Sequence, residues 1–288
     1  MIRRICCPVC KAQGTRTLFR QAYAESSLSG YLHDMYPSLE PSILADETYE
    51  LVQCDHCSLA YQVAIPDPPM MKQLYGSWID PQQAKASDQD RSAAFYSAQC
   101  AELATLIDSL GKASELSVLD FGMGWGNWCR LASGFGCRTF GAELCEERLR
   151  HAARLGILPP EDEERFNLIH ADQVLEHLAE PAKMLQSLSS RLDDHGVVHI
   201  TVPDCRSLGR RLKRFRWDAP MHTKESLQMA APLEHINSFN HASLVRVAEE
   251  SGLQLDRSRT QSVIRSTRRG LRRVRAPLGT NLVFAKAA

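Results

Sequence analysis

Hydrophobic positions along this chain change their spacing in step with what they predict. Between Ala84 and Leu110, the residues Phe95, Gln99, Leu103, Leu106, Ile107 and Leu110 fall largely at helical spacing, and Gly111 stops the run. From Ser117 short apolar runs alternate with helical stripes. Val118–Phe121, Cys137–Gly141 and Asn167–His170 read as strands, and Val197–Val202 follows Gly196 as the clearest strand of all. The stretch from Gln173 to Leu192 places Val174, Leu175, Leu178, Leu185, Leu188 and Leu192 on one stripe, which predicts a long helix. Asn281–Ala285 predicts a final strand.

Strands alternating with helices through short connections predict an α/β fold: a mostly parallel, Rossmann-like sheet with helices on both faces. Residues 1–80 differ. They carry two cysteine pairs and several aromatics without sustained helical periodicity, and predict a small zinc-ribbon-like module. The expected division is therefore a module over 1–80, a helical connector over 81–114, and the α/β domain over 115–288.

Composition narrows the function. The chain has 288 residues, 44% of them hydrophobic and 24% charged, enough for a real core. Lys plus Arg and Asp plus Glu are both 34, so the net charge is zero and a globally basic nucleic-acid binder is disfavoured. No apolar run approaches the ~18 residues of a membrane span, and no secretory pattern opens the chain, so the expectation is a cytoplasmic protein with no membrane partner.

The central motif is Val118-Leu119-Asp120-Phe121-Gly122-Met123-Gly124-Trp125-Gly126-Asn127. A strand running into a Gly-x-Gly turn before a helix lets backbone approach a ligand closely. A dinucleotide fingerprint would need glycine at 127, where asparagine stands, and Asp120 sits two places before the first glycine. That pattern suits a ligand with a cationic centre and an amino-acid portion. Glu143 follows at the end of the second strand, where a carboxylate can accept from a ribose diol.

These residues resemble the class I S-adenosylmethionine-dependent methyltransferases, over about Ser117 to Ala288. Phe166–Ile169 with Asp172–Leu178 resembles that family's fourth strand and following helix, and Leu192–Gly196 through Val202–Asp204 its fifth strand. Leu233-Glu234-His235-Ile236-Asn237-Ser238-Phe239 is similar to a segment of members that methylate small molecules and sugars. The resemblance implies S-adenosylmethionine as cofactor, bound through Asp120, Gly122, Gly124, Gly126 and Glu143. The third strand is reduced to Leu155–Leu158, and Glu161 and Asp162 are weak candidates for the adenine contact.

Cys7-Pro-Val-Cys10 and Cys54-Asp-His-Cys57 are two Cys-x-x-Cys turns 43 residues apart. Four such thiolates can enclose Zn²⁺ with no open position, which makes the expected metal structural. Cys6 and His56 are substitute ligands. Cys100, Cys129, Cys137, Cys145 and Cys205 lack pairing and read as small buried hydrophobes. The module resembles the amino-terminal zinc-binding domain ahead of some deoxysugar methyltransferases, through its four cysteines, Tyr49-Glu50-Leu51 and Leu59-Ala60-Tyr61, with Ser58 where glycine is often found. That resemblance implies a module that helps enclose substrate; Tyr61, Tyr75 and Trp78 either do so or fill the module's core.

Methyl transfer to most acceptors needs somewhere to place a proton. Glu176-His177 is expected inside the helix after the fourth strand, with His177 as a packing residue. Glu234-His235 is expected in a loop after Pro232, with His235 as base and Glu234 as its orienting carboxylate. Arg206, Arg210, Arg211, Lys213, Arg214 and Arg216 cluster after the fifth strand, and eight arginines lie between Arg257 and Arg275. Either cluster is solvated surface or a means of holding phosphate. The expected acceptor is a small anionic molecule such as a nucleotide-linked sugar, bound between module and sheet. RNA methylation and a non-catalytic partner with the same fold are the alternatives.

Overall fold

The computed structural model describes residues 1–80, 86, 90–221, 223–270 (without the side chains of 269 and 270) and 279–287. The start of the expected connector, residues 81–85, and Arg272, Arg273 and Arg275 lie outside the described residues. Five short strands come first: β1 (Ile2–Arg3), β2 (Thr15–Ala22), β3 (Thr48–Cys54), β4 (Ala60–Gln62) and β5 (Ala64–Ile65). Then follow β6 (Ser117–Phe121), β7 (Arg138–Ala142), β8 (Phe166–Asp172), β9 (Leu192–Val202), β10 (Asn237–Ser238), β11 (Leu253–Leu255) and β12 (Thr280–Lys286).

These elements form two compact units. The first gathers Met1–Ala84, Leu175–Pro181 and Pro203–Val247; the second gathers Lys85–Val174, Ala182–Val202 and Ala248–Ala288. Two stretches that the sequence reading assigned to 115–288 therefore fold with the amino-terminal residues.

In the first unit, β10, β4, β3 and β2 make an antiparallel sheet in that order. β3 buries residues on both faces, Tyr49 and Leu51 on one and Val52 and Cys54 on the other. Its neighbour β4 pairs with the distant β10 through Tyr61↔Asn237 and Ala60↔Ser238. The core around Tyr36, Tyr49, Leu51, Leu74 and Trp78 includes Leu227, Ala230 and Leu233 from late in the chain. Sequence periodicity could not show that these segments share one core.

In the second unit the sheet order is β11-β12-β9-β8-β6-β7. β7, β6, β8 and β9 run parallel, β12 is antiparallel to β9, and β11, antiparallel to β12, returns to the common direction. The reduced third strand survives as a single parallel bridge, Phe140↔Leu158. The connector helix covers Ala93–Leu110: Ser92 caps it by accepting from the Phe95 amide at 3.2 Å, and Gly111 ends it. Leu103, Leu106 and Ile107 on its inner face are buried with Val118, Leu168, Val197 and Val283, each worth about 1.5–3 kcal/mol of transfer free energy.

One expected element does not form as read. The helix predicted over Gln173–Leu192 is split into a 3₁₀ turn at Leu175–His177 and an α-helix at Pro181–Ser190. Pro181 has no amide hydrogen and its ring would clash with the carbonyl four residues back, so it can begin a helix but not continue one. Gln173, at φ 54°, breaks the chain at the other end. Glu176 and His177 consequently lie in a turn, not on a packing helix. No helix of the described residues is long and apolar enough to cross a membrane.

Candidate functional site

The glycine loop lies at the carboxyl end of β6 in the second unit. Gly122, Gly124 and Gly126 all adopt left-handed backbone, at φ 79°, 56° and 81°. A Cβ at Gly122 would lie 2.5 Å from Val174 Cγ2, and one at Gly126 would lie 2.5 Å from Ile157 Cδ1. At Gly124 a Cβ would meet nothing within 4 Å. The first and third glycines thus serve packing as well as conformation, while the middle one faces open space.

Glu143 follows β7 and turns back over the loop. Its carboxylate accepts from the backbone amides of Gly124 at 3.1 Å, Leu144 at 2.7 Å and Cys145 at 3.1 Å, and Arg148 lies 3.3 Å away. The register pairs Asp120 with His170 and places Asp172 two residues further along β8. Burial pushes the Asp120 carboxyl up to about 8, with the charges of Asp172 and Glu143 adding to the shift and the Cys129 thiol, donating at 3.6 Å, opposing it. Asp172 is also raised by burial, while Thr201 donates to it. Three carboxylates therefore meet around a glycine turn, an arrangement that a positive ligand would relieve. Glu161 and Asp162 are exposed, in the connection after Leu158.

In the first unit the four knuckle cysteines converge. Cys7 and Cys57 sulfurs lie 3.5 Å apart, Cys10 and Cys54 sulfurs 3.6 Å apart, and all four fall within 4.8 Å of one another. Tetrahedral Zn²⁺ with Zn–S bonds of about 2.3 Å has sulfur–sulfur edges near 3.8 Å, so the donor set fits such an ion. The converging group contains neither Cys6 nor His56. The residue after each knuckle, Lys11 at φ 59° and Ser58 at φ 60°, is left-handed, which closes the turn.

The same unit brings His177 and His235 together, with ring centroids 4.9 Å apart. His177 Nδ1 lies 3.0 Å from the Glu234 carbonyl oxygen and 2.9 Å from the Tyr75 hydroxyl. A carbonyl only accepts, so Nδ1 carries the hydrogen and Nε2 keeps a lone pair. His235 Nδ1 is buried with no hydrogen-bond partner among the described residues, leaving Nε2 for the backbone at Gln228 and Met229. Burial lowers His177 to about 4 and His235 to about 3, so both rings are neutral bases at neutral pH. Glu176 Oε1 stands 3.9 Å from His177 Nε2.

Glu234 does not orient His235 as expected: its carboxylate accepts from the buried Tyr36 hydroxyl, and burial raises it. Leu233, just before the pair, is left-handed at φ 70°. Tyr61 and Trp78 are core aromatics at 2% and 4% exposure, whereas Tyr75 reaches His177.

A profile of a methyltransferase domain family matches residues 92–258, more than half of the chain. The chain belongs to this methyltransferase family. Among solved structures, it is 16% identical to the plantazolicin methyltransferase BpumL in complex with SAH, with a TM-score of 0.53 over 75% of this chain and 93% of that one. The plantazolicin methyltransferase BamL, in complex with a triazolic desmethylPZN analog and SAH, is 16% identical with a TM-score of 0.52, over 75% and 94%. At that identity the likeness shows the shared fold. No curated protein sequence gave a significant match.

Several residues of this methyltransferase that bear on its chemistry escaped the sequence reading. Tyr36 and Asn237 are among them. Asn237 donates to the carbonyls of Leu175 at 3.0 Å and Leu178 at 2.7 Å and accepts from Arg4 at 2.9 Å, which ties the His177 turn to β10. Another group is Glu102, His170 and His199, buried in the second unit. A histidine inside each of two otherwise apolar parallel strands was the available signal, since such strands are covered on both faces. Of the basic residues, Arg206 is committed to Asp204 and Arg211 to the carbonyls of Thr223 and Ser226, while Arg210, Lys213 and Arg214 are exposed.

Proposed function

We propose that this methyltransferase uses S-adenosylmethionine to methylate a small-molecule acceptor, with a nucleotide-linked sugar as the acceptor class. The observation that carries the donor assignment is the meeting of Asp120, Asp172 and Glu143 around a left-handed glycine turn. Buried Asp120, half-buried Glu143 and exposed Asp172 together favour a cationic ligand, and a pyrophosphate would be repelled. S-Adenosylmethionine, when bound, supplies an electrophilic methyl on a sulfonium. Gly122, Gly124 and Gly126 would cradle it, Asp120 would offset its positive charge, and Glu143 would share its acceptor sites with the ribose diol.

His235 and His177 are the acceptor bases in this reading. Each has one nitrogen committed to a backbone carbonyl and the other bearing a lone pair, so either can take a proton from a hydroxyl or an acidic carbon. Glu234 fixes the loop through Tyr36 instead of steering His235. The exposed Arg210, Lys213 and Arg214 are the residues available for phosphate. Cys7, Cys10, Cys54 and Cys57 would hold a structural Zn²⁺, closed on all four sides and so without an open position for a reacting group.

Equilibrium titration with S-adenosylmethionine and with NAD tests the donor: binding of NAD alone would defeat the reading. The acceptor is tested by salt. A nucleotide-linked sugar gives a shallow dependence of acceptor binding on ionic strength, whereas RNA loses affinity steeply because several phosphates are neutralised along a strand.

A further inference from the structure

We propose that the second unit holds a buried divalent-cation site, built from His170, His199 and Glu102 and suited to Zn²⁺ or another ion that takes nitrogen and oxygen ligands. His170 of β8 and His199 of β9 are register partners, so their side chains leave the sheet on the same face. Glu102 comes down on them from the Ala93–Leu110 helix. The three are 2%, 0% and 7% exposed.

Their donor atoms lie within 4.8 Å of one another. His170 Nδ1 and His199 Nδ1 are 2.9 Å apart, and His199 Nδ1 is 3.8 Å from Glu102 Oε1. Two ligands on one tetrahedral ion, with bonds of about 2.0–2.2 Å, are separated by roughly 3.3–3.5 Å, between these two values. Small ring movements would therefore admit the ion.

The surroundings orient the donors as a metal site requires. His199 Nε2 lies 2.7 Å from Asn281 Oδ1, an acceptor, so Nε2 carries the hydrogen and Nδ1 offers its lone pair inward. The Asn281 amide cannot be flipped without loss, because its Nδ2 donates to Glu102 Oε2 at 2.8 Å. Thr267 donates to the same oxygen at 3.1 Å, which holds Oε2 from behind and leaves Oε1 facing His199. Trp128 stacks on His170 at 4.4 Å between centroids and 9° between planes, fixing the ring. A carboxylate buried against neutral donors needs a nearby cation. The rival occupant is a proton shared between the rings.

The experiment is cobalt reconstitution of the full-length protein after removal of metal, read by stoichiometry and by absorption. The site predicts an equivalent of Co²⁺ lacking sulfur-to-metal charge transfer, in addition to any thiolate-ligated equivalent at the cysteines. His199→Gln and Glu102→Gln should each lose that sulfur-free equivalent and keep the thiolate one. Wild-type protein that binds Co²⁺ only with the thiolate signature, or binds none, overturns the proposal and leaves the proton as occupant. Variants that fold and keep wild-type stoichiometry overturn it equally. Wild-type protein without that sulfur-free equivalent overturns the proposal even if neither variant folds, and a Glu176→Gln variant that keeps the equivalent assigns it away from the Glu176, His177 and His235 cluster.

Discussion

The imidazoles of His177 and His235 meet edge to face, centroids 4.9 Å apart and planes 68° apart, each with one nitrogen tied to backbone. One ring sits in a 3₁₀ turn and the other in a loop. Each is an unprotonated base whose orientation is set by the main chain.

Replacing either base with glutamine should lower kcat by roughly 10² to 10⁴, the usual yield of acid–base catalysis, with donor affinity nearly unchanged. The acid limb of the rate profile should also sit low. Burial holds His177 at about 4 and His235 at about 3, so kcat at saturating donor should persist on acidification to near pH 4. A rate profile that falls near pH 6.5, together with active glutamine variants, would remove both residues from the mechanism.

Asp120 gives a pH dependence of the opposite kind. Its folded value is raised from 3.8 to about 8, chiefly by burial and then by Asp172. The folded state thus holds the proton more tightly than the unfolded chain, and stability falls as pH rises from about 4 to about 8. A cation favours the ionised carboxylate, so affinity for S-adenosylmethionine should climb over the upper part of that window and level off beyond about pH 8. Calorimetric titration at several pH values checks this. Asp120→Asn should flatten both curves, and unchanged curves in that variant would exclude Asp120 as their source.

Cys54→Ser should abolish the thiolate-ligated metal and lower the melting temperature, because binding free energy at a structural site is folding free energy. Elemental analysis with scanning calorimetry reads both. Retention of full metal content would remove Cys54 from the ligand set.

Lys11→Gly should stabilise the protein by about 1 kcal/mol, since left-handed backbone costs a side-chain-bearing residue roughly 1–2 kcal/mol and glycine gives part of this back as unfolded-state entropy. Ser58→Gly should gain less. Although its φ is 60°, the Ser58 hydroxyl lies 3.2 Å from Asn240 Nδ2, a contact glycine loses. Denaturant unfolding of the two variants should show this order.

Asn237→Ala should cost about 2–4 kcal/mol, because it strands two carbonyls in a buried setting and removes one acceptor from the Arg4 guanidinium, which keeps the Ile236 and Ala179 carbonyls. It should also depress kcat more than it raises KM, through the loosened His177 turn. A purely structural role would lower stability and leave the kinetics of the folded fraction unchanged.

The sequence by itself determined the elements whose physics is local. Alternating apolar strands and helical stripes specified a parallel α/β sheet, and Asp120 with three glycines marked its ligand end, because glycine adopts three left-handed positions in one short turn without the cost a side chain adds at each. Two Cys-x-x-Cys turns announced a four-thiolate cluster, since each knuckle is a local structure that needs a partner. Tertiary structure alone decided which partners meet. Pro181 and Gln173 split the expected helix and moved Glu176 and His177 into a turn, and the apolar stripe could not register that break because its spacing runs through it. Tyr36, not His235, took the Glu234 carboxylate, and β10 joined β4 across most of the chain. Glu102, His170 and His199 became neighbours through sheet register and helix docking. Such contacts depend on side chains far apart in sequence reaching one low-dielectric place, where burial sets both their geometry and their protons.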